Sequence, residues 1–443
     1  MVGAVLADRA LMGFSLGVHI ILAVIGIALP LIILLSEIMY ARTKDKAYRA
    51  LSKRLSTVLV ILFAVGTASG TLVALELAVL WPKFMALVGQ VAILPFYVEA
   101  FAFFGEAIFL SAFLYSYHRN MDNSRARMLF MAIVAVCAAL SGALITMVNA
   151  FMNTPAGFDI QQYLLNGTIT DVHPLAAFNT PSTGIEVLHV LSTSYMVGAF
   201  LFLAYVCYRL LKENDALRRE YYRKAARLIF WVVLIATVIA VYSGIQSIAS
   251  MYYLQPEKFA AIEGDMIAQA YAPEYLGGIP VNGTLKYYIA IPGLQSILAT
   301  GSPSGTVPGL EQYPQSTWPP LIVHTMFDPL VGSGFAIGAL LALVLLMMVL
   351  KRRPFESRLL LYLMIIAGML SLFLLEDGWA MAEIGRQPWI IYNVMSVSDA
   401  ANASPQVIPI AAALMLFYAV IMPFTLLVLR RIFDGRQLEA DMR

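Results

Sequence analysis

SLGVHIILAVIGIALPLIILLSEIMY, residues 15–40, decides the architecture. Its apolar run exceeds the roughly 20 residues with which a helix crosses hydrocarbon. The basic stretch ARTKDKAYRALSKR, residues 41–54, follows it directly. Eight further blocks of similar character lie at approximately 55–80, 94–117, 128–150, 186–211, 226–250, 320–350, 358–378 and 407–430. Of 443 residues, 60% are hydrophobic and 13% charged, about half the charge of an ordinary soluble domain. An all-α integral membrane protein of nine transmembrane helices is the fold this predicts. A β-barrel would need short alternating strands, and the sequence has none.

Basic residues fix the expected orientation, because cytoplasmic connections retain positive charge during insertion. Of 29 Lys and Arg residues, 24 fall after the first, third, fifth and seventh blocks or in the C-terminal tail. They include Arg42 to Arg54, Arg119, Arg125 and Arg127, the run from Arg209 to Arg227, Lys351 to Arg358, and Arg430 to Arg443. The other side keeps only Arg9, Lys83, Lys258, Lys286 and Arg386. The N-terminus is therefore expected outside and the C-terminus in the cytoplasm, and the net charge of +2 reflects topology rather than nucleic-acid binding. The start carries no basic cluster and its apolar block is too long for a signal-peptide core, so it reads as the first span. Cys137 and Cys207 lie in separate blocks without a CxxC or CxxCH pattern, which argues against disulfides, covalent haem and iron–sulfur clusters.

Residues 1–443 read as a single membrane domain containing one long outer segment, 251–319, rich in Gly, Pro and Tyr. Such a length points to function or disorder. Gln255 to Ala270 reads as a short amphipathic helix, and GSPSGTVPGLEQYPQ, residues 301–315, as irregular loop. GTASG, residues 66–70, places two glycines one turn apart, which in membranes usually means close helix packing.

A charge at the bilayer centre costs from about 2.5 kcal/mol upward, so each intramembrane ionisable group is a functional candidate. On the expected topology His19, Glu76, Glu99, Glu106, His189, His324 and Met326 all crowd the outer side. Glu99 and Glu106 are two turns apart and share a helix face. They suit a proton relay or a haem contact, or are protonated acids bonded to neighbouring helices. His19 and His189 suit axial ligation of haem iron, although a lone buried imidazole also serves simply to bond a neighbour. Copper or zinc would need clustered ligands, which are missing. His118 and His173 fall in loops and read as solvated. GWAMAEIGRQPW, residues 378–389, brings Glu383 and Arg386 between two tryptophans at an outer edge. An arginine there is unusual and suits a propionate or another carboxylate.

With these residues in view, the sequence resembles subunit I of the cytochrome bd family of quinol oxidases over essentially its whole length. The likeness rests on GRQPW at 385–389, Arg9 followed by His19, VEAFAFFGE at 98–106, VLHVLSTSY at 187–195 and EKFAAIEGD at 257–265, in that family's order and topology. The resemblance implies helical bundles around haems near the outer face: two b-type haems, one low-spin and one high-spin, and one haem d. It implies oxidation of a membrane quinol outside and reduction of dioxygen to water with protons from the cytoplasm, electrogenic without a pump. His189 resembles an axial ligand of the low-spin haem b, and His19 and Glu383 resemble ligands at the other two haems. Glu99, Glu106 and Glu76 are similar to acids of the haem environment and proton route, Arg9 and Arg386 to propionate partners, and Trp379 to a tryptophan between haems. Lys258 and Glu263 match a quinol-binding pair in the short-loop form of the family. A second membrane subunit, with a small single-helix subunit as a further candidate, and a prokaryotic cytoplasmic membrane are implied too.

One departure stands out. The family places a methionine just before a VGxGF-like segment as second ligand of the low-spin haem, with an arginine two residues earlier; here VGSGF, residues 331–335, is preceded by Leu330, and Asp328 takes the arginine position. Met326, one turn away on the same face, His324, or an open position remain as expectations. A non-catalytic paralogue that stabilises an oxidase complex is the alternative reading. An ion or solute transporter is a third, disfavoured by the lack of paired broken helices and of a polar route through the inner half.

Overall fold

The computed structural model describes residues 2–118, 124–281, 284–435 and 438. Arg119, Arg436 and Arg443, counted above among the cytoplasmic basic residues, lie outside these, as does the side chain of His118. The helices run α1 (Val2–Thr43), α2 (Lys46–Leu80), α3 (Pro82–Val91), α4 (Leu94–His118), α5 (Ser124–Asn153), α6 (Ile160–Asn166), α7 (Pro174–Phe178), α8 (Thr183–Lys212), α9 (Ala216–Leu254) and α10 (Pro256–Glu263). After them come α11 (Leu294–Thr300), α12 (Ile322–Val349), α13 (Arg358–Ile384), α14 (Val397–Ala400) and α15 (Val407–Gly435). Among the described residues nine helices are long and apolar enough to cross a membrane: α1, α2, α4, α5, α8, α9, α12, α13 and α15. The short α3, α6 and α7 were not legible from composition.

Helix starts follow local chemistry. Asp45 and Asp215 cap α2 and α9 by accepting from the amides of Ala47 and Arg218. With 42 residues, α1 extends about 63 Å, twice the hydrocarbon thickness. Residue 15 therefore marks where its apolar run begins, not where the helix begins.

Neighbouring long helices pack as α1 with α2, α4 with α5, α8 with α9, and α8 with α13. Lipid is as apolar as leucine, so such contacts rely on close approach of small residues. A Cβ at Gly198 of α8 would stand 2.5 Å from the Val24 carbonyl oxygen of α1, and one at Gly368 of α13 would stand 2.6 Å from Ala204 Cβ of α8. Around these crossings lies a core that includes Leu29, Ile33, Leu59, Phe113, Phe200 and Phe230, all essentially without exposure.

The connections gather at two opposite ends. At the basic end, Lys224 of α9 bonds Asp45 before α2, and Arg223 donates to Glu356 before α13 at 2.8 Å. The membrane-apolar region near that end is less featureless than the sequence suggested. Glu37 of α1, fully buried, accepts from Arg127 Nε of α5 at 3.1 Å and from Ser52 Oγ of α2 at 2.5 Å, with Tyr117 of α4 on the same carboxylate. Glu37 was not singled out in the sequence, and its burial is tolerable because charge and hydrogen bonds are matched.

The opposite end carries the 251–319 segment, which is folded rather than irregular. Strands β2 (Glu274–Leu276) and β5 (Ile289–Ile291) pair antiparallel around the pair β3 (Ile279–Val281) and β4 (Thr284–Lys286). Nearby, β1 (Gln269–Ala270) pairs with β6 (Thr306–Val307), so residues 301–315 are only partly loop. A small β7–β8 ladder (Trp389–Ile391, Met395–Ser396) follows α13. The helix expected over 255–270 stops at Gly264, whose φ of +79° breaks it. Nor is it amphipathic, since every residue from Glu257 to Glu263 is buried.

Candidate functional site

His19 and His189 sit in matching settings. His19 Nδ1 of α1 lies 2.8 Å from Ser69 Oγ of α2, and His189 Nδ1 of α8 lies 3.0 Å from Ser243 Oγ of α9. Both rings are half-buried, and no described residue bonds either Nε2. Each ring also rests against the glycine after its serine: a Cβ at Gly70 would come within 3.0 Å of His19 Cε1, and one at Gly244 within 3.6 Å of His189 Cε1. GTASG is therefore corrected. Gly66 meets nothing within 4 Å, whereas Ser69 and Gly70 seat an imidazole rather than a helix backbone.

Several acids lie on α2, α4 and α13. Glu99 of α4 accepts from Ser141 Oγ of α5 at 2.6 Å, and Glu106, two turns further, is buried. Glu76 of α2 accepts from Ser15 Oγ of α1 at 2.9 Å and keeps its second oxygen without a partner. Glu376 and Asp377 of α13 were overlooked in the sequence. Each has a buried oxygen with no partner, and the Glu376 carboxylate lies 3.1 Å from where a Cβ on Gly17 would be, two residues from His19. Two acids at the end of an apolar block were the available signal.

At the end of α13, Glu383 accepts from Asn149 Nδ2 of α5 at 2.8 Å and forms a short ion pair with Arg386. Arg386, 3% exposed, also donates to Asn153 Oδ1 at 2.9 Å, and Asn153 Nδ2 donates to Glu186 Oε1 of α8 at 3.0 Å. Asn149, Asn153 and Glu186 complete this network, yet no spacing in the sequence announces them because their partners sit on other helices. Arg9 is exposed and reaches Gln387 at 3.4 Å, while Trp379 is half-buried on α13.

Lys258 lays its stem across Gly385 and donates to the Ala382 carbonyl at 3.0 Å, docking α10 on the GRQPW turn. Burial, then Arg386, pulls its ammonium down to about 8, partly countered by Glu186 and Glu383. Glu263 faces different company. Five residues on, it is turned about 140° around α10, toward Glu274, Asp265 and Asp328, and burial followed by those acids raises its carboxyl well above the usual range. Asp265 is pushed up to about 8 by burial although Gln295 bonds it, and Glu274 to about 7 by burial and Asp328. The structure thus does not bring Lys258 and Glu263 together on one face.

His324 offers no bare nitrogen. Nδ1 lies 2.8 Å from the Ile262 carbonyl oxygen and Nε2 lies 3.2 Å from that of Gly277. The ring, 2% exposed, pins α12 to the 251–319 segment between Gly264 and Gly278. Met326 and Leu330 share a face of α12, both packed against the cluster of Ala260, Ile262 and Met381. His173 is exposed on a loop beside Asp171.

The donor set suits iron porphyrin. Two imidazoles each have one nitrogen anchored and one without a partner among the described residues, and the buried Arg386 has an Nε without a partner among them. Among the described residues no group of three His, Cys, Asp or Glu could hold a bare metal ion, so a macrocycle would have to supply the remaining ligands.

Comparison with known proteins agrees. The family model described as cytochrome bd terminal oxidase subunit I matches residues 7–437. A putative cytochrome bd menaquinol oxidase subunit I of Bacillus subtilis is 37% identical, over 98% of this chain and 97% of that protein. A cytochrome bd-II ubiquinol oxidase subunit 1 of Escherichia coli is 24% identical, over 87% of each chain. The structure of bd oxidase from Geobacillus thermodenitrificans superposes with a TM-score of 0.91 at 36% identity, covering 98% of this chain and 99% of that one. The polytopic helices, the paired imidazoles and these matches together assign the chain to the cytochrome bd terminal oxidase subunit I family, as a quinol oxidase subunit that works with other oxidase subunits.

Proposed function

We propose that this chain is the haem-bearing subunit that oxidises a membrane quinol at the outer face of a prokaryotic cytoplasmic membrane and reduces dioxygen to water with cytoplasmic protons. Two quinols would yield two quinones while one dioxygen becomes two waters. Releasing protons outside and consuming them from inside makes the reaction electrogenic without a pump. The orientation that this requires, N-terminus outside, is supported by the basic residues at the other end of the bundle.

Two b-type haems and one haem d are the proposed cofactors. His189, with Met326 as second ligand, would hold the low-spin haem b, and His19 and Glu383 would hold the remaining pair. Bound haem would accept single electrons from quinol and deliver them to dioxygen. Arg386 and Arg9 would pair with propionates, Trp379 would stand between haems, and Glu76, Glu99 and Glu106 would bring protons toward the oxygen-reducing site. Ser141 and Ser15 orient two of those acids.

The 251–319 segment is the proposed quinol site. Lys258, a cation below about pH 8, sits buried against the GRQPW turn and donates to the Ala382 carbonyl, while the buried Glu263 and Asp265, with Glu274, would take up protons. The relative named for menaquinol makes menaquinol the first substrate to assay. A second membrane subunit, and a small single-helix subunit, are the proposed partners, and the little-buried α12 and α15 leave apolar faces for them or for lipid.

The observation that carries this reading is the pair of anchored imidazoles whose Nε2 atoms have no partner among the described residues. Reduced-minus-oxidised spectra, pyridine haemochrome analysis and quinol-driven oxygen uptake by the purified complex test it. Bands of b and d type with quinol-dependent uptake are expected; a colourless complex expressed with haem supplied overturns it, and a spectrum without a d-type band removes haem d.

A further inference from the structure

The serines beside the two histidines have an arrangement of protons that leaves no ring N–H without an acceptor. Ser69 Oγ lies 2.9 Å from the Gly66 carbonyl of its own helix, and Ser243 Oγ lies 3.1 Å from the Ala240 carbonyl of its own. A carbonyl only accepts, so each offers a seat for the hydroxyl's single proton, and the Ala240 backbone also bonds the His189 ring. What remains on each oxygen is a lone pair, 2.8 Å from His19 Nδ1 and 3.0 Å from His189 Nδ1. Each Nδ1 must then carry a hydrogen and donate it, which leaves Nε2 as a lone pair. The opposite tautomer would leave an Nε2–H with no acceptor among the described residues, a costly orphan. Near His189, Ser192 Oγ lies 3.4 Å from Ser243 Oγ and itself donates to the His189 carbonyl at 3.0 Å.

We infer that Ser69 and Ser243 are positioning residues that fix the Nδ1–H tautomers of His19 and His189, aim each Nε2 at haem iron, and thereby set the potentials of the two haems. This rests on the function proposed above. The same unit, a serine that back-bonds its helix followed by a glycine on which the ring lies, occurs on α2 and again on α9. Two unrelated helix pairs therefore place an imidazole with the same hydrogen-bond geometry. A donated Nδ1–H makes the imidazole a more basic ligand, which favours ferric over ferrous iron. A hydroxyl already donating to a carbonyl is also polarised toward stronger acceptance.

The test is Ser243→Ala and Ser243→Thr in the whole complex, read by spectroelectrochemical titration of the low-spin haem and by haem content, with Ser69→Ala and Ser69→Thr as the matching pair. The alanine variants are expected to raise the midpoint potential of the affected haem by about 59 mV, the equivalent of a tenfold change in the ferric-to-ferrous equilibrium. Threonine keeps the hydroxyl and should stay near wild type. Loss of the haem in the alanine variant with retention in threonine also supports the inference, since removal of such outer-shell partners costs roughly 10- to 100-fold in metal affinity. Unchanged potential and haem content in alanine, or threonine behaving like alanine, overturns it. A wild-type complex devoid of haem is a separate result, which defeats the functional reading before either variant is made.

Discussion

Replacing Gly198 by alanine would drive a methyl group into the crossing of the two helices that carry the imidazoles. Its Cβ would lie 2.5 Å from the Val24 carbonyl oxygen and 2.6 Å from Ala28 Cβ. The first distance falls 0.9 Å short of the 3.4 Å at which ordinary contact begins. Neither neighbour is the far end of a flexible chain, so α1 and α8 must separate or shear by a similar amount. Overpacking of this kind costs roughly 1–3 kcal/mol, and a membrane interior offers no compensating hydrophobic gain. His19 stands about 7.5 Å along α1 from Val24, and His189 about 13.5 Å along α8 from Gly198, so the wedge reaches both seats. Thermal unfolding followed by tryptophan fluorescence, together with haem absorbance, should show Gly198→Ala melting and releasing haem several degrees below wild type. Gly184→Ala is the control on the same helix, because nothing lies within 4 Å of its Cβ position; it should be neutral or slightly stabilising. Equal midpoints for the two variants would refute the close approach of α1 and α8 and the argument built on it.

Three further outcomes follow from the loop end. Lys258→Met should lower kcat/KM for quinol roughly 10- to 100-fold, the worth of a charged hydrogen bond, with haem bands intact; the wild-type fall in kcat/KM as pH rises through about 8, where Lys258 loses its charge, should disappear in the variant. Asp265 titrates at about 8 when folded against 3.8 when solvated, so the folded segment keeps a proton that the unfolded one has shed. Stability is then greatest below the lower value and falls as pH rises to the higher one, and Asp265→Asn should flatten the rise in protease nicking of the 264–319 segment between about pH 5 and 8. Met326→Ala should convert the low-spin six-coordinate signal to a five-coordinate one; a signal that persists removes Met326 as ligand.

The nine long helices were legible because each needs only local information, an apolar run of sufficient length ended by charge or glycine. His19, His189, Glu99 and Glu383 were legible as candidates because polar groups in hydrocarbon demand a reason. What the sequence concealed was who meets whom. Ser69 and Ser243 look like ordinary small residues of apolar helices until the neighbouring helix delivers an imidazole, and GTASG read as a packing motif for that reason. Asn149, Asn153 and Glu186 come from α5 and α8, and only the folded bundle brings them to Glu383 and Arg386. Glu37 and Arg127 stood ninety residues apart, so their pairing was invisible. In the 251–319 segment, Gly and Pro suggested loop, yet paired strands and the doubly bonded His324 give it a fixed shape.

Haem content of His189→Ala beside wild type is the most direct measurement of whether these imidazoles hold iron. Pyridine haemochrome analysis should find two b-type haems and one haem d in wild type, and loss of the low-spin b-type haem alone in the variant. A variant with the full complement, in a complex that assembles and folds like wild type, would contradict the assignment of His189 as a haem ligand.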